Sequence, residues 1–268
     1  YSIKNTIMAD LSKTSFILMR QNPPFNMDYI TATFLLEKIS SKTQIVNDPF
    51  SVRNMPEKLY SINFLKFMPP TIFTKNIYEI EKFRKKHKKI VIKPTHGYGG
   101  KNIFFVNKNV SKNKILQYIK KNKHVMVQKF LSQIKYGDKR IFIINGVVKG
   151  AIKRIPKKGS IVSNIGQGGK AVKTTLTKNE YRIAKIVALS LKKKRIVFAG
   201  IDLISFGVTL VTDIFTCVLA SCASAETTNV LIIVDASLIF KFLDIISFPL
   251  TLTLISTASK PKEVTFKV

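Results

Sequence analysis

The sequence predicts an α+β protein, and three observations carry that prediction. Short runs of β-branched and aromatic residues stand beside segments with helical spacing of apolar positions. The strand-like runs come in neighbouring pairs joined by Gly- or Asn-containing turns, which is hairpin order rather than strand–helix alternation, so a doubly wound parallel sheet is not expected. The chain has 268 residues and is 46% hydrophobic, enough for a sizeable core in one large or two medium domains. No internal repeat is present.

Each element follows in order. Residues 15–19 (SFILM) read as a strand. Residues 28–39 (DYITATFLLEKI) have helical spacing, with Asp28 as the expected cap. A short strand is expected at 44–47, a helix at 53–67, and a basic, solvated helix at 77–86. Residues 91–94 and 103–106 read as strands around a glycine-rich loop. A helix at 112–122, a strand at 125–130, and a hairpin of 140–144 with 147–155 turning at Asn145-Gly146 come next. A long helix at 178–193 leads to a buried strand at 197–204 (VFAGIDLI).

Charge narrows the function classes less than its size suggests. The formal net charge is +30, from 45 Lys+Arg against 15 Asp+Glu. Such a field attracts polyanions and anionic small molecules. Most of the cations are lysines scattered among Asn and Ile, a bias that an AT-rich genome imposes on any protein, and no RNA- or DNA-binding motif accompanies them. A basic nucleic-acid module would interleave aromatics with cations on one face, whereas Phe104, Phe105, Phe130 and Phe198 stand in apolar runs. The start carries no basic head with a long apolar core, and it lacks Met, which predicts a cytoplasmic protein with a truncated front. Cys217 and Cys222 make neither a zinc pattern nor a disulfide framework.

Composition breaks near residue 205. Residues 205–268 hold four basic and five acidic residues, whereas residues 1–204 hold 41 and 10. Charges at 213, 226, 235 and 244 leave no 18-residue apolar run for a spanning helix. The tail reads as out of frame or foreign to the domain before it.

The segment VIKPTHGYGGKNIFFV (91–106) is the most informative stretch. Glycines let a backbone approach a ligand closely and offer unhindered N–H groups to phosphate oxygens. Lys93 stands beside the loop as a point charge for the same phosphates. The loop leads into a strand, so it is neither a Walker A loop nor a dinucleotide fingerprint. By itself it reads equally as an ordinary hairpin with a glycine-rich turn.

Six segments taken together resolve the matter. ILMRQNPPFNMDYITATFLLE (17–37), IVNDPFSVRNMPEKLY (45–60), VIKPTHGYGGKNIFFV (91–106), VMVQKFLSQIKYGDKRIFIINGVV (125–148), AIKRIPKKGSIVSNIGQGGK (151–170) and FAGIDLIS (198–205) occur in this order. The chain resembles bacterial glutathione synthetase of the ATP-grasp superfamily over residues 15–205. The resemblance implies an ATP-grasp fold, two α+β lobes holding ATP between them. It divides the chain into a remnant of a strand–helix N-terminal domain (1–48), an ATP-grasp domain (49–204) and a divergent tail (205–268). It implies ATP-dependent ligation of γ-glutamylcysteine and glycine through an acyl phosphate, with Mg2+ or Mn2+ as cofactor, in a homotetramer, with no nucleic-acid or membrane partner. A ribosomal-protein glutamate ligase or another ATP-grasp carboxylate–amine ligase is the rival within the superfamily, and a catalytically defective fragment the rival beside it.

The resemblance also assigns roles. Lys58 and Lys93 grip ATP phosphates, and Gly97, Tyr98, Gly99 and Gly100 form the loop that closes over them. Gln128, Lys129, Phe130 and Leu131 form the linker around adenine. Arg140 and Arg154 lie near the transferred phosphoryl group and the substrate carboxylate, a place suited to a bidentate guanidinium. Arg20, Asn164, Gly166, Gly168 and Gly169 lie on the substrate side, and Asp202 is the first magnesium ligand. A solvated surface charge is the plainer reading of Lys58, and ordinary core that of Phe130 and Leu131. His87, His96 and His124 carry no role. The family's E-x-N strand is missing after Asp202: Asp213 stands near its Glu, but position 215 is Phe. One carboxylate is too few for two magnesium ions, so weak magnesium–ATP binding and little ligase activity are expected of this chain.

Overall fold

A computed structural model describes residues 6–160, 162–204, 211–217 and 263–266. The front unit contains β1 (Thr6–Ala9), β2 (Phe16–Leu18), α1 (Met27–Ile39) and β3 (Gln44–Val46), with β2 and β3 paired in parallel. The cap of α1 is Asn26 rather than Asp28: its extended backbone precedes the first helical residue, and its side chain accepts from the Tyr29 N–H at 3.0 Å. Asp28 sits in the first turn, where the helix dipole favours an anion.

The helix expected at 53–67 is instead three pieces: α2 (Pro49–Asn54), α3 (Glu57–Tyr60) and a 3-10 stretch, Ser61–Phe67. Pro49 opens α2, where no N–H is needed, and Asp48 caps it through the Ser51 N–H. Pro56 lacks the N–H that would continue the helix, so the chain restarts after it. Asn47 ties this region to the far lobe. Its amide donates to the Phe198 carbonyl at 2.9 Å and accepts from the Val197 and Phe198 N–H groups at 2.9 and 2.8 Å.

The first lobe contains β4 (Thr71–Thr74), α4 (Ile77–His87), β5 (Ile90–Pro94), β6 (Phe104–Val106), α5 (Lys112–Asn122) and β7 (Val125–Lys129). Its sheet runs β4-β7-β5-β6, with every neighbour antiparallel. Strand β4 has only four residues, TIFT, too few for alternation to show in the sequence. Ile80 of α4 and Ile115 and Ile119 of α5 pack with Ile90, Ile92, Val125 and Val127 into one buried cluster.

The second lobe contains β8 (Asp138–Ile144), β9 (Val147–Ile155), β10 (Lys170–Thr174), α6 (Lys178–Lys193), β11 (Phe198–Ile204) and β12 (Val211–Cys217), its sheet running β10-β9-β8-β11-β12. Strand β13 (Glu263–Phe266) pairs in parallel with β1. Asn145 and Gly146 both take positive φ, 48° and 76°, as a tight hairpin turn requires. Helix α6 starts with a capping box, Thr177 with Glu180, and buries Ile183, Ala184, Val187, Ala188 and Leu191 along one stripe. Leu191 is fully buried, worth about 1.5–3 kcal/mol. This stripe joins Ile141, Ile143, Ile201 and Leu203 of the sheet and Tyr29 and Leu36 of α1 in a second core.

Strand β11 lies inside its sheet, flanked by β8 and β12. Apart from β12 and β13, the tail expected at 205–268 lies outside the described residues, as does Cys222. Among the described residues no helix is long and apolar enough to cross a membrane.

Candidate active site

Strand β5 carries the first charge of the site. All five of its residues are buried, and Lys93 is only 5% exposed. An ammonium so placed needs a hydrogen-bond acceptor. Lys93 donates to the Gln128 amide oxygen of neighbouring β7 at 2.7 Å, and the Gln128 amide donates to Thr71 of β4 at 3.0 Å. Gln128 thus links three strands and itself lines the cleft.

Lys58, from α3, is 4% exposed, so it is not the solvated surface charge its sequence context allows. It donates to the Gly97 carbonyl and lies 3.4 Å from Glu57. Burial pushes the Glu57 carboxyl up, and Lys58 pulls it back. The glycine loop follows β5, with Gly99 at φ 60°, a region that side chains avoid. His96, which has no role in the motif reading, lines the cleft and stacks on Phe25 at 6.1 Å and 9°. Burial, then Lys58 and His124, lowers its pKa. Phe130 meets Phe105 edge-on at 4.8 Å, and both rings are half-buried at the cleft side of the sheet rather than in its core cluster.

The second lobe supplies a closed array of four charges. Cross-strand register puts Asp138 opposite Arg154 and Asp202 opposite Arg140. Arg154 grips Asp138 with two bonds, 2.8 and 2.6 Å, and reaches Asp202 at 2.7 Å. Arg140 grips Asp202 with Nε and, at 2.7 Å, Nη2. Both are guanidinium–carboxylate forks. Burial would raise the Asp202 carboxyl, but the two arginines hold it below its ordinary value. Asp138 goes the other way: burial raises it to about 6, Arg154 opposes, and Asp202 adds to the rise. Burial would lower the Arg154 guanidinium, and Asp202 and Asp138 outweigh that.

One cleft of about 330 Å³ gathers most of the expected residues: Lys58, Lys93, Gly97, Tyr98, Gly99, Gly100, Gln128, Lys129, Phe130, Leu131, Arg140, Arg154, Asn164 and Asp202. That volume lies in the range of ligand sites. Arg20, Gly166, Gly168 and Gly169 do not line it; Gln21, Val162 and Ser163 do. Asp202, expected to hold magnesium, has its oxygens held by arginines. Among the described residues no three His, Cys, Asp or Glu side chains come together to hold a metal ion. Asp138 was not singled out from the sequence, although its place beside Arg140 in Gly-Asp-Lys-Arg is a signal.

Two α+β lobes facing one cationic cleft, with a glycine loop on one side, define the ATP-grasp fold. A solved D-cycloserine synthetase shares that fold, with a TM-score of 0.58 over 78% of each chain at 16% identity. The chain belongs to the prokaryotic glutathione synthetase family: the model of the family's ATP-grasp domain matches residues 57–218, and that of its N-terminal domain matches residues 1–53. Glutathione synthetase of Bradyrhizobium diazoefficiens is 41% identical over 72% of this chain and 62% of that one. That of Mesorhizobium japonicum is 40% identical over 76% of this chain and 66% of that one. The chain therefore spans somewhat less than two thirds of the relatives it matches. The ATP-grasp match runs past the composition break at 205.

Proposed function

We propose that the chain is a glutathione synthase, joining γ-glutamylcysteine to glycine at the expense of ATP. The carrying observation is the convergence of Lys58, Lys93, Arg140 and Arg154 on one cleft in a chain of this family. Moving a phosphoryl group onto a carboxylate brings anions together, and fixed cations in a shielded site lower that barrier most. ATP supplies the phosphoryl group. Lys58 and Lys93 hold its phosphates under the backbone N–H groups of the glycine loop. Phe130 and Leu131 flank the base. Arg140 and Arg154 neutralise the γ-glutamylcysteine carboxylate as it becomes an acyl phosphate and ADP leaves. The glycine amine then attacks that carbonyl, an amide forms, and inorganic phosphate departs.

Magnesium or manganese accompanies the nucleotide on this reading, but the described side chains do not build its site, since both Asp202 oxygens are committed. The positive charge in the cleft comes from side chains. On the same reading the enzyme is cytoplasmic and homotetrameric.

Calorimetric titration with a non-hydrolysable ATP analogue and with γ-glutamylcysteine, paired with ADP release, tests this. Binding of both, with slow ADP release requiring dipeptide and glycine together, is expected. D-alanine outperforming glycine as the amine, or a glutamate-ending peptide outperforming the dipeptide as the carboxylate, would overturn it.

A further inference from the structure

Four buried side-chain atoms among the described residues lack a hydrogen-bond partner: Gln21 Oε1, Ser163 Oγ, Arg53 Nη1 and Glu81 Oε1. The last two belong to ion pairs, Arg53 with Glu37 and Glu81 with Arg84. Gln21 and Ser163 do not, and both line the cleft. They are 8% and 4% exposed. A buried polar group without a partner is costly, and ligand binding is one condition that repays it.

Their chemistry differs from the rest of the cleft. The lysines and arginines there suit phosphate and carboxylate. A neutral amide oxygen accepts, and a hydroxyl oxygen accepts or donates, so the two suit the N–H groups of a ligand. We propose that Gln21 and Ser163 are substrate-selecting residues that hydrogen-bond the amide or amine part of the peptide substrate while the cations take its carboxylates. Gln21 comes from the segment before α1 and Ser163 from the loop after β9, so the front unit and the second lobe each contribute one of the two to the cleft. This inference rests on the functional reading above.

The test uses the whole chain with Gln21→Met and Ser163→Ala made separately. Calorimetry would measure γ-glutamylcysteine, glycine and a non-hydrolysable ATP analogue, alongside the melting temperature without ligand. About tenfold weaker binding of dipeptide or glycine is expected, with nucleotide affinity within twofold. The ligand-free melting temperature should hold or rise, because neither oxygen has a partner to lose. Should one variant not fold, the other decides. Unchanged affinity for both substrates would overturn the inference and leave the functional reading standing. A parent chain that binds the nucleotide but neither substrate would overturn both.

Discussion

The two lobes present cations to one cleft by opposite means. In the first, Lys93 of β5 donates to the Gln128 amide oxygen, and Lys58, which reaches over from α3, donates to the Gly97 carbonyl of the glycine loop, with Glu57 also beside it. In the second, Arg140 and Arg154 are locked into forks with Asp138 and Asp202. On the first lobe's side an amide oxygen positions Lys93, and a backbone carbonyl with Glu57 beside it positions Lys58. The second holds its cations through buried anions, so its array supports the fold as much as the site. The difference teaches that a cationic residue in this cleft costs stability or affinity according to what positions it.

The largest effect expected is on the second lobe. Arg154→Met strands the buried Asp138 carboxylate, leaves Asp202 to Arg140 alone, and should cost about 3–5 kcal/mol in denaturant melts. A loss under about 1 kcal/mol would show that the array is dispensable and would break the contrast. Lys93→Met should do the reverse, weakening binding of an ATP analogue about 100-fold in calorimetry with little change in melting temperature. An equal stability loss would make the lobes alike. Gly137 sharpens the picture: at φ 94°, its missing Cβ leaves room for the Arg154 carbonyl oxygen. Gly137→Ala should cost about 2 kcal/mol by melts and weaken the fork beside it, while Gly159→Ala, with open space around it, should cost less.

The smallest expected effect is on pH dependence. The Asp138 carboxyl is raised from 3.8 to about 6, so the folded chain binds its proton more readily than the unfolded chain. Its contribution to stability is then full below about 4 and lost as pH rises through about 6. The parent chain should gain stability relative to Asp138→Asn as pH falls from 7 to 4. A loss over that window would mean that Arg154 holds Asp138 as low as it helps hold Asp202, and that the second lobe carries no strained carboxylate.

Much of this was legible in the chain. The long helix expected at 178–193 matches Lys178–Lys193, and the structure adds the reason for its ends and its seat, a Thr177–Glu180 capping box and an apolar stripe of five positions. Likewise Lys93, the glycine loop, Arg140 and Arg154 were found from motifs, and they share one cleft. Pro56 was the legible signal against one helix over 53–67, and the structure obeys it, breaking that stretch into three pieces.

By itself the sequence determined the α+β class, the hairpin turn at Asn145-Gly146, and which residue types carry phosphate chemistry, because each depends on local backbone preference or short spacing. Only the tertiary structure decided which charges meet. Counted from the turn, Asp138 would face Lys153; a one-residue register shift between Phe142 and Ile143 brings it opposite Arg154 instead. Likewise only packing could set Gln21, rather than Arg20, against the cleft. Both are long-range outcomes of strand register and burial, which no local spacing encodes.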